Sequence, residues 1–168
     1  MTELFLTANS NLYEKLETLL KTRISSPFKI LRNENGKPYL TGNPLYFSLS
    51  HSGKKAIIAI SDSPCGVDLE LVNGKSRKVV LNSFSYEERA EIESERDFLT
   101  HWTVRESYIK MLGLTLASKL KNLKFIGGKL YDDGEKVECA FFHGGDGDLV
   151  FSLCVEDKNE KPPIIKNI

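Results

Sequence analysis

Gly66-Val67-Asp68-Leu69-Glu70 is the stretch around which the rest of the chain is organised. If it is extended, its side chains alternate between faces, so Asp68 and Glu70 share one face while Val67 and Leu69 share the other. Two carboxylates then stand about 7 Å apart at their Cα atoms. Val67 and Leu69 can enter a core and leave the acidic pair on a rigid, partly buried support. At an effective dielectric near 20, two ionised carboxylates roughly 5 Å apart repel by about 3 kcal/mol, and a third acid brought to them requires something positive in between. Mg²⁺ meets that need where phosphates are handled, because it takes one or a few carboxylates and leaves positions for phosphate oxygens and water.

A third acid is offered by Trp102-Thr-Val-Arg105-Glu106-Ser-Tyr-Ile-Lys110-Met-Leu-Gly113. Helical spacing puts Glu106 and Lys110 on one face at i,i+4, with Trp102 one turn earlier. Taken alone the pair reads as a solvated ion pair worth a few tenths of a kcal/mol, and Trp102 reads as a packing anchor. Gly113 fits a helix stop. Upstream, Ser85-Tyr-Glu-Glu88 fits a capping box that starts a helical half, with a break expected near Ser94 to Asp97.

The chain has 168 residues, 40% of them hydrophobic, and 23 basic against 23 acidic side chains. That bounds it to one folded domain or two small halves sharing a core. A zero balance of charge supplies no field for a nucleic-acid backbone, so nucleic acid is not expected as a partner. No apolar run approaches the roughly 20 residues needed to span a bilayer, and Met1-Thr-Glu-Leu-Phe-Leu-Thr lacks the basic and apolar regions of a leader. The expectation is a cytoplasmic protein without a membrane partner. Cys65, Cys139 and Cys154 are odd in number and show no C-x-x-C, which fits buried small hydrophobes and argues against zinc or a disulfide framework.

In chain order, a strand is expected at Glu3 to Thr7, an amphipathic helix at Asn11 to Lys21, and a strand at Phe28 to Leu31. Turn signals stand at Asn33 to Gly36 and Thr41 to Pro44. Tyr46 to Leu49 and Ala56 to Ile60 read as two strands joined across a polar break at Ser50-His51-Ser52-Gly53. Val72 to Asn82 looks like a linker. Beyond the helices, an antiparallel meander is expected from Leu123 to Ile126, Val137 to Phe142 and Leu149 to Val155, and Asp157 to Ile168 reads as a loosely held tail.

These residues resemble a family, the 4′-phosphopantetheinyl transferases of the monomeric, two-lobed type. The family's strand motif, Gly-(Val/Ile)-Asp-x-Glu, is matched at Gly66 to Glu70. Its helix motif, Trp-x-x-Lys-Glu-Ser/Ala-x-x-Lys, is matched at Trp102 to Lys110 with arginine at position 105. Gly36-Lys37-Pro38 and Phe47-Ser-Leu-Ser50-His51-Ser-Gly53 look like its coenzyme A phosphate-binding motifs, in the expected order. The resemblance covers roughly residues 36 to 113.

The resemblance implies an α+β fold of two similar lobes in a pseudo-twofold arrangement, each a helix packed on a small antiparallel sheet. The lobes would span residues 1–72 and 73–168. It implies transfer of the phosphopantetheine arm of coenzyme A to a serine of an apo acyl or peptidyl carrier protein, with release of adenosine 3′,5′-bisphosphate. In that scheme Asp68, Glu70 and Glu106 hold Mg²⁺, and Glu106 and Lys110 are catalytic. Lys37, Pro38, Ser50, His51 and Arg105 bind coenzyme A, the co-substrate. Which of Lys21, Arg23, Lys29 or Arg32 holds the nucleotide end stays open, as does whether Glu106 or a metal-bound water is the base. A monomer is expected, because the site would lie between halves of one chain. The alternative is a non-catalytic carrier-protein or coenzyme A binding module of the same fold. A Ser-His-Asp hydrolase is set aside because no Gly-x-Ser-x-Gly elbow exists, and His101 and His143 are expected to be structural.

Overall fold

Strand β1 (Glu3–Ala8) starts a mixed four-stranded sheet in the computed structural model, which describes residues 1–42, 44–73 and 81–168. The sheet runs in the order β12 (Ile164–Asn167), β1, β5 (Lys55–Ser61), β4 (Tyr46–Ser52), antiparallel except where β12 lies parallel to β1. Helix α1 (Leu12–Lys21) covers one face. Leu12, Leu16 and Leu20 recur at helical spacing and bury themselves against Phe5, Phe47, Ile58 and Ile60. Each such leucine stabilises the fold by about 1.5–3 kcal/mol relative to exposure. Between α1 and β4, the short strands β2 (Ile30–Arg32) and β3 (Pro38–Leu40) form a hairpin whose tip is Asn33 to Lys37.

The other face of this sheet packs on a second, three-stranded sheet in the order β10 (Ala140–Gly144), β11 (Leu149–Val155), β6 (Cys65–Leu71), antiparallel throughout. Leu4, Ile57 and Ala59 meet Val67, Leu69, Leu153 and Val155 in the core between them. Alternation within β6 therefore does what its sequence requires. Val67 and Leu69 face this core, and Gly66, Asp68 and Glu70 face the other way, toward the long helix.

Helix α2 (Tyr86–Ala90) opens on the predicted capping box, with Ser85 accepting from the Glu88 amide and the Glu88 side chain accepting from the Ser85 amide. The helical break falls at residues 91–94, slightly earlier than expected, because Ser94 forms a second capping box with Asp97. From there α3 (Glu95–Leu112) runs to Gly113, whose φ of 70° closes it as a left-handed cap. A short α4 (Leu116–Lys119) and a 3-10 turn (Leu120–Asn122) follow.

Several local readings change. The tail is held: β12 pairs with β1, and Thr7 Oγ1 donates to the Ile168 carbonyl. The expected three-stranded meander divides between two sheets, since β7 (Leu123–Ile126), β8 (Lys129–Asp132) and β9 (Glu135–Lys136) form a small sheet of their own while β10 and β11 join β6. The strand predicted at Phe28 to Leu31 starts two residues later and ends one later, at Ile30–Arg32. Residues 74–80 of the predicted linker lie outside the described residues. Among the described residues no helix is long and apolar enough to cross a membrane.

Candidate active site

The polar break predicted at Ser50 to Gly53 narrows to a turn at Gly53 and Lys54 that joins β4 to β5. β4 continues through Ser52, because the serines repeat every second residue and β6 lies beside them. β4 is the edge of one sheet and β6 the edge of the other. Serine side chains join the two edges: Ser48 Oγ accepts from the Val67 amide at 3.0 Å, Ser50 Oγ donates to Asp68 Oδ1 at 2.9 Å, and Ser52 Oγ donates to Glu70 Oε2 at 3.0 Å. This ladder fixes the register of the acidic strand against β4, which also carries the exposed His51.

Helix α3 closes on β6 by direct backbone contact. A Cβ built on Gly66 would stand 2.0 Å from the Ser107 carbonyl oxygen and 2.4 Å from the Met111 amide nitrogen, so only glycine fits. That approach lets Lys110 reach across. Its ammonium donates to Asp68 Oδ1 at 2.7 Å, to Ser50 Oγ at 3.0 Å and to the Val67 carbonyl at 3.2 Å. The predicted solvated pair of Glu106 with Lys110 is therefore replaced by a partly buried pair of Lys110 with Asp68.

The acidic face behaves as a coupled set. Asp68 is 3% exposed, and burial pushes its carboxyl up, offset in part by the Lys110 charge and the Ser50 hydroxyl. Glu106 is pushed up to about 7, first by burial and then by the negative charge of Asp68, with Glu70 adding to it and Lys110 and a hydrogen bond from Trp102 opposing. Trp102 thus does more than pack: it stacks on Phe98 at 6.5 Å between ring centroids and also steadies Glu106. The second oxygen of Asp68, Oδ2, is buried without a hydrogen-bond partner. As placed, no three Asp, Glu, His or Cys side chains among the described residues group closely enough to hold a metal ion. The donor chemistry still fits a hard cation, since an orphaned buried carboxylate oxygen and an acid whose proton affinity is raised by two neighbouring acids are both relieved by one.

Next to this face lies a cleft of about 500 Å³ lined by Tyr13, Arg32, Lys37, Pro38, His51 and Lys110 among others, a size suited to a small-molecule ligand. Arg32 stands in it with one guanidinium nitrogen donating to Tyr13 Oη at 2.6 Å and another to the Gly36 carbonyl at 2.8 Å.

The profile of the 4′-phosphopantetheinyl transferase superfamily matches residues 64–161, which include β6, α3 and β11. The chain belongs to this superfamily. A 4′-phosphopantetheinyl transferase of Bacillus subtilis is 31% identical over 108 residues, covering 60% of this chain and 47% of that protein. The 4′-phosphopantetheinyl transferase gsp of Aneurinibacillus migulanus is 33% identical over 88 residues, 49% of this chain and 37% of its own. The 4′-phosphopantetheinyl transferase AcpT of Salmonella typhi is 35% identical over 106 residues, 56% of this chain and 55% of its own. The chain spans about half the length of the curated relatives it matches.

Within this member of the superfamily, the residues singled out from sequence separate into groups. Asp68, Glu70, Glu106, Lys110 and Ser50 come together, and His51 and Pro38 line the adjoining cleft. Arg105 does not join them. It is fully buried on another side of α3, paired with Glu88, donating to the Ser83 carbonyl at 3.3 Å and lying 4.1 Å above the Phe84 ring. With no exposed surface and its guanidinium held by Glu88, it lies outside the cleft where the resemblance would have it bind coenzyme A. Lys37 lines the cleft with its stem but spends its ammonium on the carbonyls of Met111 at 3.0 Å and Cys65 at 3.3 Å. Of the four basic residues left open, Arg23 is paired with Glu3 and Lys21 with Glu17, while Arg32 is in the cleft. Tyr13, which lines the cleft, was not singled out from sequence, and Trp102 was read there as a packing anchor alone. Their signals were an aromatic near the start of α1 and an indole one helical turn before the acid it steadies.

Proposed function

We propose that the protein transfers the 4′-phosphopantetheine arm of coenzyme A to a serine hydroxyl of an apo acyl or peptidyl carrier protein, releasing adenosine 3′,5′-bisphosphate. The observation that carries this reading is the convergence of Lys110, Asp68, Ser50 and a proton-avid Glu106 beside a cleft that holds Arg32 and His51. In the transfer, the serine oxygen bonds to the β-phosphorus of the pyrophosphate, and the bridging bond to the adenosine bisphosphate breaks. Glu106 is the group to receive the serine proton, because its carboxyl stands on α3 among Asp68, Glu70 and Lys110, where a carboxylate can act as general base. Lys110, held on Asp68, is aimed to stabilise the negative charge that shifts onto the leaving phosphate.

Asp68, Glu70 and Glu106 would hold Mg²⁺, which when bound neutralises pyrophosphate charge. Arg32 and His51 supply cationic and donor groups for the nucleotide's phosphates, and Pro38 and Tyr13 supply apolar and aromatic surface beside them. The site draws β4 and the 33–37 loop from the first 72 residues and α3 from the rest, so we divide the chain there into two lobes and expect a monomer to be sufficient. A cytoplasmic location belongs to the same reading.

Incubation with coenzyme A, Mg²⁺ and a panel of apo carrier proteins, read by intact mass, tests this. A gain of one phosphopantetheine on a carrier is expected. Tight coenzyme A binding by calorimetry without a mass gain on any carrier would assign the chain instead as a non-catalytic binding module of the fold.

A further inference from the structure

The loop at the tip of the β2–β3 hairpin reaches the far end of α3 and supplies the donors that its last turn lacks. A helix leaves its final carbonyls without partners, and each needs a donor or water. Here the Gly113 and Leu114 amides serve the Lys110 and Ile109 carbonyls, each at 3.1 Å. Two more, those of Met111 and of the cap residue Gly113, are served from the loop. Asn33 Nδ2 donates to the Gly113 carbonyl at 3.1 Å, Asn35 Nδ2 to the same oxygen at 2.9 Å, and Lys37 Nζ to the Met111 carbonyl at 3.0 Å. The loop is itself braced, since Asn33 Oδ1 accepts from the amides of Asn35 at 3.0 Å and Lys37 at 2.8 Å.

Resting on the transfer reading, we infer that Asn33, Asn35 and Lys37 are positioning residues, which place Lys110 and Glu106 by capping α3. Lys37 accordingly acts through the helix and not on a phosphate. Its ammonium bridges Met111 on the helix and Cys65 on β6, the two residues that flank the close approach at Gly66. A cation at a helix C-terminus is favourable in its own right. Lys110 immediately precedes Met111, so loosening this turn swings the ammonium off Asp68. The same loop lines the cleft at Asn35, Gly36 and Lys37, so a ligand lying there rests against the cap.

The test combines Lys37→Met, Lys37→Arg and Asn35→Ala with two co-substrates, coenzyme A and its 3′-dephospho form. Hydrogen exchange of the amides of residues 109–114, measured on the free protein, should quicken about tenfold in Lys37→Met and Asn35→Ala, the factor expected from one hydrogen bond of ordinary strength. Lys37→Arg should keep most of the protection. The turnover number should fall about tenfold or more in the first two variants, with KM for both co-substrates moving by the same factor. Unchanged exchange would overturn the inference. So would a KM rise for coenzyme A that the dephospho form does not share, because that is the signature of a phosphate ligand. Asn35 is exposed, so its variant carries the comparison if Lys37→Met fails to fold. Absence of transfer by the parent protein would remove the transfer reading, and the exchange measurement alone would then decide whether the cap exists.

Discussion

Replacing Gly66 by alanine drives one methyl group into the Ser107–Met111 rung of helix α3. The added carbon would stand 2.0 Å from the Ser107 oxygen, against the roughly 3.4 Å at which ordinary contact begins, so strand and helix must separate by about 1.4 Å. Both obstacles are backbone, and neither can rotate away. Overpacking of this kind costs about 1–3 kcal/mol when side chains can adjust, and the upper end or beyond is expected here. Against a total stability of about 5–15 kcal/mol the variant should still fold, with a clearly lower urea midpoint. Function should suffer more than stability. Glu106 and Lys110 ride on the displaced helix while Asp68 stays with β6, and a shift of about 1 Å in such groups costs about 100-fold in rate. The long stem of Lys110 can recover part of its 2.7 Å contact with Asp68, but the shorter Glu106 cannot follow. Urea unfolding followed by circular dichroism gives the first quantity, and the initial rate of phosphopantetheine transfer gives the second. A midpoint equal to the parent's with transfer within twofold would mean that strand and helix do not touch at Gly66, and the geometry of the whole site would fall with that contact.

Other perturbations separate the remaining roles. Glu106 titrates near 7 instead of its ordinary 4.5, so between those values the folded protein keeps a proton that the unfolded chain has released. Stability of the metal-free protein should therefore fall as pH rises across that window, by roughly 3 kcal/mol at most from this group, and Glu106→Gln should reduce the slope to what the raised Asp68 leaves. Equal slopes in parent and variant would contradict the assignment, and added Mg²⁺ should flatten the parent's slope by favouring the carboxylate. Arg105→Met leaves Glu88 buried and uncompensated, for a loss of about 3–5 kcal/mol and a melting temperature lower by about 10 °C, with KM for coenzyme A unchanged. A raised KM at an unchanged melting temperature would restore Arg105 to the ligand. His51→Ala, at an exposed position, should weaken coenzyme A binding about tenfold by calorimetry without moving the melting temperature, and unaltered affinity would exclude His51 from the cleft's ligand contacts.

How much of this was legible in the sequence follows from how local each cause is. Period-two alternation is a property of five consecutive residues, so the two faces of β6 could be read directly, and so could the Ser85–Glu88 capping box and the Gly113 stop. The serine ladder was present in the same form, at Ser48, Ser50 and Ser52, yet it read as a break. Serines favour a strand at that spacing only when a second edge lies opposite, and that edge comes from a different sheet. Arg105 was misplaced although the sequence held the correction. Successive helical residues differ by about 100° in direction, so a helix that aims Glu106 into the cleft turns Arg105 away from it. The Glu88 of the capping box was already available to receive it. Lys37 could not have been settled that way. Its partners are backbone carbonyls 28 and 74 residues away, and a carbonyl carries no residue-type signature for a sequence motif to record. A basic residue beside a phosphate-like motif and one capping a distant helix look the same until the helix end is located. Of the arrangement read from sequence, the shared face of the acids on β6 and the helix face opposite them were therefore legible, while the partner of each cation depended on which anion or carbonyl the fold delivers to it.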